Sequence, residues 1–226
     1  MTGPLLSLRG VTKQFRSGDS IVTVLRGVDL DLHPGEFSAL VGPSGSGKST
    51  LLLLAGLLEP ATSGEIAIEG RQLDIKATSA GSLRAIRRQK VGFVFQKPNL
   101  VPFLTASENV ELVLAINGYV GKRKRDLAAG FLADLDLSHR LNQYPKRLSG
   151  GEQQRVAIAR AIANGARIIL ADEPTAALDA VRGEQAMLLL KAFAERLQAA
   201  VLVVTHDQRS LHLFDRVLQM SDGKLT

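Results

Sequence analysis

Two short stretches of this chain have the residue types and spacing of phosphate-binding sites. They are GPSGSGKS at residues 42–49 and LSGGE at residues 148–152. The first fits the pattern G-x-x-x-x-G-K-[ST] at every position. It follows an apolar run at 37–41, which is typical of a strand, and precedes a leucine-rich run at 50–54, which is typical of the start of a helix. That strand–loop–helix order is the context in which the pattern predicts a nucleotide phosphate loop.

Each residue type in the first stretch has a predicted role in binding phosphate or magnesium. Gly42, Gly45 and Gly47 let the backbone curl, so that successive N–H groups converge on phosphate oxygens. The helix that follows adds its positive N-terminal end. Lys48 is placed for the β- and γ-phosphates, and the Ser49 hydroxyl for a magnesium ion, which prefers oxygen ligands.

Two further candidates come from a run of aliphatic residues that ends in carboxylates. Residues 168–171 read IILA, and Asp172 and Glu173 follow directly. A buried strand here would carry both carboxylates to the edge of a sheet. Asp172 is then a candidate magnesium partner, directly or through water, and Glu173 is a candidate for polarising the attacking water. By itself such a run is equally typical of a strand-end turn.

Two other strand ends carry polar side chains. His206 follows the apolar run at 200–204 and could donate a hydrogen bond to a γ-phosphate, although a lone histidine is more often a capping or core residue. Gln96 follows the β-rich run at 91–95 and offers an amide oxygen that suits magnesium or water. In isolation it would be read as an exposed polar residue.

LSGGE is a second phosphate-binding helix terminus. Ser149, Gly150 and Gly151 precede a predicted helix over residues 152–163 and supply a hydroxyl, free N–H groups and the positive end of the helix dipole. A monomer with one phosphate loop has no use for a second such site. The need is met if Ser149 faces the nucleotide held by another copy of the chain.

These residues require a particular set of elements to position them. Short strands fill the first third, at 5–12, 21–25, 28–32 and 65–69, and helices dominate from about 107 to 164. A helix is expected over 80–89 and another over 180–198, between the buried runs 168–171 and 200–204. Strands that alternate with helices and end in polar residues predict an α/β sheet with the site at the strands' carboxyl ends.

Composition excludes several classes of protein. The chain has 226 residues, 45% hydrophobic content and no cysteine, which rules out disulfides and thiolate metal sites. No apolar run approaches the roughly 20 residues that cross a bilayer, and no signal segment precedes the first strand. We therefore expect a chain that is soluble on its own.

The net charge of +6 has one concentrated feature, the basic run at residues 122–125. A solvated helix face explains it, and contact with anionic lipid headgroups is the alternative. Nucleic acid is a weaker partner, since the other basic residues are scattered and only 4% of residues are aromatic.

The set GPSGSGKS, Gln96, LSGGEQQR, ILADEPTAALD and VVTHD, in this order, resembles the ATP-binding subunit of ABC transporters across essentially the whole chain. The resemblance implies a RecA-like α/β P-loop core with an N-terminal antiparallel β subdomain. It also implies one domain over residues 1–226, with a helical subdomain inserted at about 97–160. The expected ligands are ATP and Mg²⁺. The expected partners are a second copy of the chain and a separate membrane permease, at the cytoplasmic face of the membrane.

By the same resemblance, two subunits sandwich two ATP molecules head to tail. Glu173 would be the catalytic base, His206 would sense the γ-phosphate, and Asp179 would touch the dimer seam. Magnesium would be organised by Ser49, Asp172 and Gln96, and Gln96 would also link the site to the permease. The nucleotide of one copy would face Ser149, Gly150 and Gly151 of the other. The residues expected to contact it within its own copy are Phe15, Gly42, Pro43, Ser44, Gly45, Ser46, Gly47, Lys48, Ser49 and Thr50.

Two positions depart from the family pattern. Phe15 stands where the family usually has a tyrosine stacked on adenine, so stacking is kept and the hydroxyl is lost. Ala176 stands where many relatives have serine or glycine, which removes a polar group.

Narrower features favour one branch of the family. The segments 16–25 and 99–110 (NLVPFLTASENV) resemble the macrolide-exporter and lipoprotein-release group, and within it the ATPases of bacterial hemin exporters. Heme is then the candidate cargo, although no residue here is suited to bind it. Macrolide, lipid or lipoprotein export stays open.

Two other classes of function compete. Soluble ABC ATPases that act on DNA or ribosomes typically carry long coiled-coil inserts or two ATPase units in one chain, and this sequence has neither. A P-loop kinase would need an acceptor pocket and has no use for LSGGE.

Overall fold

The computed structural model describes residues 3–18, 20–74, 78–176 and 178–226. Their strands form two sheets. Asp19, in the segment 16–25, and Ala177, in the AALD stretch, lie outside the described residues. The first sheet is antiparallel and has the strand order β2-β1-β4-β5. Its strands are β1 (Leu6–Ser17), β2 (Ser20–Leu32), β4 (Ser63–Ile68) and β5 (Arg71–Leu73).

The second sheet has six strands in the order β10-β9-β3-β8-β7-β6 and is parallel except for the pair β9–β10. Its strands are β3 (Phe37–Val41), β6 (Val91–Val94), β7 (Ile168–Asp172), β8 (Ala200–Val204), β9 (Arg216–Ser221) and β10 (Lys224–Leu225). The prediction of an α/β core with an N-terminal antiparallel sheet is confirmed.

Helices cover both faces of the parallel sheet. They are α1 (Lys48–Ala55), α2 (Ala80–Lys90), α3 (Ala106–Ile116), α4 (Gly121–Ala133), α5 (Gly150–Ile162) and α6 (Ala180–Leu197). Short 3-10 turns lie at Ser138–Arg140, Pro145–Arg147 and Gln208–Leu213. Three of the helices, α3, α4 and α5, lie between β6 and β7. The proposed subdomain boundaries at 97 and 160 stay a prediction.

The core strands are apolar on both faces, because each face is covered. Along β7, Ile169 packs into a cluster with α3, α4, α5 and α6, whereas Ile168 and Leu170 face a second cluster with α1 and the antiparallel sheet. A strand that is buried on both faces does not alternate between apolar and polar residues. This explains why β7 and β8 appear in the sequence as unbroken aliphatic runs.

Several predicted boundaries differ from the observed ones. The strands expected at 21–25 and 28–32 are one strand, β2, because the irregular register with β1 accommodates Gly27 at φ +79° without a break. Helix α1 begins at Lys48 instead of Thr50, and α5 begins at Gly150 instead of Glu152. Both helices begin earlier because the cap residue, and not the first good helix former, sets where the hydrogen-bonded turn starts. In the part of the chain that the structure describes, no helix is long and apolar enough to cross a membrane.

Candidate nucleotide site

The phosphate loop is shaped by close backbone packing. Gly42, at φ +148°, lies so near the carbonyl of Met220 that a Cβ there would be 2.1 Å from that oxygen. Gly47 has φ +106° and caps α1, and a Cβ there would lie 3.0 Å from the side chains of both Leu25 and Met220. Gly45 has φ +80° and open space around it. The first and last glycines are therefore fixed by neighbouring strands, and the middle one is needed only for its backbone angle.

The loop presents a cationic cradle. The Lys48 ammonium donates to the carbonyls of Gly42 and Pro43 at 2.8 Å each, so that it curls back over the mouth of the loop. Pro43 and Ser44 are exposed, whereas Ser46 is buried. The Ser46 hydroxyl has no hydrogen-bond partner in the structure. An ammonium held by carbonyls and an orphaned hydroxyl fit an anion such as a phosphate chain.

A hydroxyl and a carboxylate suited to magnesium meet beside the loop. The Ser49 hydroxyl lies 3.4 Å from Asp172 Oδ1, across 123 residues of sequence. Burial raises the pKa of Asp172, and the charge of Glu173 raises it further, while Ser49 and Lys48 act against the shift. Among the described residues no group of three or more carboxylates, histidines or cysteines could hold a metal alone. This donor set fits Mg²⁺, which binds few protein oxygens and takes the rest from phosphate and water.

Glu173 lies at the centre of the predicted site, and both of its carboxylate oxygens have partners. Oε1 is 3.1 Å from His206 Nδ1, and Oε2 accepts a hydrogen bond of 3.0 Å from Gln96 Nε2. Three residues from three different strand ends are therefore in direct contact. The backbone of Glu173 has φ +45°, a left-handed conformation that costs about 1 kcal/mol for a residue with a side chain. Its N–H donates to the Val204 carbonyl at 2.9 Å, which holds the turn in place.

Two residues of α5 position the segment around Gln96. Gln154 Nε2 donates to the carbonyl of Phe95 at 3.2 Å, directly before Gln96. Arg160 donates to the carbonyls of Pro98 and Asn99 at 2.8 Å each, two and three residues after Gln96. Sequence spacing alone does not predict these contacts, which join residues about 60 positions apart.

The LSGGE segment ends in a reciprocal cap. The Glu152 N–H donates to the Ser149 hydroxyl at 3.3 Å, and the Ser149 N–H donates to the Glu152 carboxylate at 2.7 Å. Ser149 and Gly150 are exposed, whereas Gly151 is buried, and a Cβ there would lie 3.1 Å from the Leu178 side chain. The segment thus packs on its own chain's AALD stretch and presents only Ser149 and Gly150 outward.

Asp179, in the same stretch, caps α6. Its carboxylate accepts from the Arg182 N–H at 2.9 Å, and the Arg182 guanidinium lies 3.4 Å away. Phe15 is 40% exposed on β1, next to the Lys13 ammonium, which lies 4.7 Å from the ring centroid. The structure thus gathers two groups of residues at one sheet edge: Lys48, Ser49 and Asp172, and Glu173 with its partners Gln96 and His206. It places the Ser149 segment on a separate, exposed helix end.

The basic run at 122–125 lies on α4, and two of its four side chains are ion-paired with neighbours. Lys122 pairs with Asp126 at 2.6 Å, Lys124 pairs with Glu111 at 3.2 Å, and Arg123 lies over the Tyr119 ring. These contacts favour the solvated helix face over a lipid-binding surface.

A protein-family model described as "ABC transporter" matches residues 25–176. Among curated proteins, the chain is similar to the macrolide export ATP-binding/permease proteins MacB of Brucella melitensis and Hyphomonas neptunium. It is 45% identical to each, over 98% and 100% of this chain and 34% of each relative. The Escherichia coli K12 protein of the same name is 43% identical over 98% of the chain. The chain therefore spans about a third of the length of the curated relatives it matches.

Among solved structures, the chain is similar to the ATP-binding cassette MJ0796 in a dimeric post-hydrolysis state with ADP and Pi. The TM-score is 0.90 at 44% identity, and the match covers 97% of this chain and 96% of that one. A second dimeric MJ0796 structure, described as a bacterial ABC transporter cassette, matches with the same values.

The cap of α5 predicts a pH-dependent stability. Burial alone would raise the pKa of Glu152, but the Ser149 N–H, the Arg140 guanidinium at 2.7 Å and the Ser149 hydroxyl outweigh burial and lower the pKa from 4.5 to about 2. A lowered pKa contributes stability above pH 4.5 that is lost as the pH falls towards about 2. We expect Glu152→Gln to lower the free energy of unfolding by on the order of 2 kcal/mol near neutral pH, and to have little effect near pH 2.

Urea unfolding over that pH range measures this difference. Glu65→Gln, which changes an exposed carboxylate on β4, is the matched control and should leave the pH profile unchanged. A pH profile of Glu152→Gln that runs parallel to that of the wild type would contradict the role of this carboxylate.

Proposed function

This chain belongs to the ABC transporter family, and from that premise we propose that it is the ATP-hydrolysing motor of an exporter. The observation that carries the proposal is the contact of Glu173 with Gln96 and His206, beside a complete phosphate loop. An anion cradle, a magnesium donor pair and a general base occupy neighbouring strand ends. That combination is what hydrolysis of a nucleoside triphosphate requires.

The geometry supports a specific division of labour. The loop N–H groups and Lys48 would hold the triphosphate, and Ser49 and Asp172 would hold Mg²⁺, which neutralises phosphate charge when bound. Glu173 would accept the proton of the water that attacks the γ-phosphorus, so that ATP and water become ADP and phosphate. Each carboxylate oxygen of Glu173 has a further lone pair beside the one that Gln96 or His206 contacts, so it can accept this proton in the observed arrangement.

We propose that the complete site forms between two copies. The phosphate loop of one copy would be closed by Ser149 and Gly150 of the other, since these two residues are exposed at a helix N-terminus in their own chain. MJ0796, the similar cassette of known structure, is described as dimeric and bound to ADP and Pi. Asp179, at the start of α6 beside Leu178, would lie at the seam.

The proposed partner beyond the second copy is a membrane permease. Phe103 is 76% exposed seven residues after Gln96, and Ile116 on α3 is 51% exposed. An apolar contact at Phe103 would act on the segment that Gln154 and Arg160 hold around Gln96, and so on Glu173. The named relatives combine ATP-binding and permease parts, so a permease on a separate chain stays a prediction. If the chain binds a permease, it acts at the cytoplasmic face of the membrane.

Macrolides are the class of cargo that we favour. The relatives are named for macrolide export, and heme, the cargo suggested by the sequence alone, has no support from them. The alternative of a soluble ABC ATPase acting on nucleic acid has no support from these relatives, which are named as export proteins.

We expect Glu173→Gln to retain ATP binding and to lower turnover by about 10²–10⁴, because the amide keeps the shape of the side chain but accepts no proton. Binding and phosphate release are measured separately on the same preparation. Glu184→Gln, which changes an exposed carboxylate of α6, is the control and should hydrolyse ATP normally. Near-normal hydrolysis by Glu173→Gln would remove Glu173 from the reaction.

The permease surface has its own test. We expect Phe103→Ser to abolish stimulation of hydrolysis by the native permease while the chain's own ATPase rate stays at the wild-type level. Leu188→Ser, at an exposed apolar residue of α6, is the control. Full stimulation of the Phe103→Ser protein would move the permease contact elsewhere.

A further inference from the structure

Lys13 is a buried lysine that the proposed reaction does not use. It is 7% exposed, and its ammonium contacts three different groups. It lies 2.5 Å from Glu59 Oε1, donates to the Pro60 carbonyl at 2.7 Å and sits 4.7 Å from the centroid of the Phe15 ring. A buried ammonium is costly unless it is paired. Here it is paired on one side by oxygens and on the other by an aromatic face.

The position of Lys13 links two parts of the site. On β1 it lies opposite Leu25 of β2, whose side chain is against Gly47 of the phosphate loop. Glu59 and Pro60 follow the end of α1, the helix that begins at Lys48. Phe15 is two residues further along β1 and therefore projects to the same face as Lys13. The lysine thus ties the strand that carries Phe15 to the far end of the phosphate-binding helix.

We propose that Lys13 is a positioning residue for the nucleobase. Its ammonium covers one face of the Phe15 ring and fixes the orientation of the ring, which leaves the opposite face for a purine to stack on. Cations are attracted to aromatic faces, and an aromatic ring that is ordered before binding loses less freedom when the ligand arrives. Phe15 has no hydroxyl through which a neighbour could orient it, so this contact takes on that task. The proposal rests on nucleotide binding at the phosphate loop.

Removal of the lysine should leave the fold intact. The Gln14 N–H donates to the Thr62 hydroxyl at 2.9 Å, and the Thr62 N–H donates to the Thr12 carbonyl at 2.9 Å. These bonds hold β1 against the segment after α1 without Lys13. The Glu59 side chain is 34% exposed and can be hydrated when its partner is lost.

The test separates recognition of the base from recognition of the phosphates. Calorimetry measures the Kd of ATP and of inorganic tripolyphosphate, without Mg²⁺ so that no hydrolysis occurs. Lys13→Met should weaken ATP binding by about two- to tenfold, the range expected when one side chain must be ordered on binding, and should leave the Kd of tripolyphosphate unchanged. Lys13→Arg should restore most of the ATP affinity, because a guanidinium also stacks on an aromatic face.

Two further variants complete the design. Lys122→Met removes one paired lysine from the exposed face of α4, and it should leave both Kd values at the wild-type level. In a Phe15→Ala background, Lys13→Met should have no further effect on ATP binding, since the ring through which it acts is gone.

The outcomes distinguish this proposal from the proposed function. Equal weakening of ATP and tripolyphosphate by Lys13→Met, or no weakening of either, overturns the role of Lys13 while nucleotide binding stands. The same loss with and without Phe15 also overturns it. If the wild-type chain binds neither ligand, the proposed function itself fails, and this inference fails with it.

Discussion

The parallel register of four adjacent strands determines everything else in this site. β3, β8, β7 and β6 are neighbours in that order, and each one ends at the same edge of the sheet. They deliver, in turn, the phosphate loop, His206, the Asp172–Glu173 pair and Gln96. Because the carboxyl ends of parallel strands lie on one edge, site groups separated by up to 123 residues come within hydrogen-bonding distance. The apolar clusters on both faces of the sheet hold that register. The packing of the core therefore also determines where the site residues lie.

Helix α5 connects this edge to the rest of the proposed machine. Its N-terminus presents Ser149 and Gly150 outward, and its body contacts the backbone on both sides of Gln96 through Gln154 and Arg160. A group that binds at the exposed end of α5 and a group that contacts the segment around Gln96 therefore act on one rigid element. Gln96 in turn contacts Glu173. This chain of contacts gives a physical route by which a second copy of the chain, or a permease, could act on Glu173, the proposed catalytic base.

The sequence predicts best what local chemistry determines. β8 was predicted with its observed limits because a fully buried parallel strand appears as an unbroken aliphatic run, and the phosphate loop was predicted because its glycines have no substitute. The starts of α1 and α5 were misplaced, since glycines are poor helix formers and yet stand in or just before the first turn. Strands β5, β9 and β10 were missed because they are short or alternate with exposed polar residues. The two partners of Glu173, the anchors of Gln96 and the contact of Lys13 with Glu59 depend on tertiary packing, which spacing in the sequence does not reveal.

The central claim is that each complete site is shared between two copies, and mixing two inactive variants tests it directly. Lys48→Ala removes a phosphate-binding side chain from the phosphate loop, which is one half of each site. Ser149→Phe places a bulky side chain in the LSGGE segment, which is the other half. Each variant alone should therefore hydrolyse no ATP. In an equimolar mixture about half of the dimers are mixed, and each of these has one site with an intact Lys48 facing an intact Ser149. One site in each mixed dimer is intact, so about a quarter of all sites are intact in the mixture. If the sites act independently, the account predicts recovery of about a quarter of the wild-type rate. A mixture that stays as inactive as its components, although mixed dimers are shown to form, would contradict it.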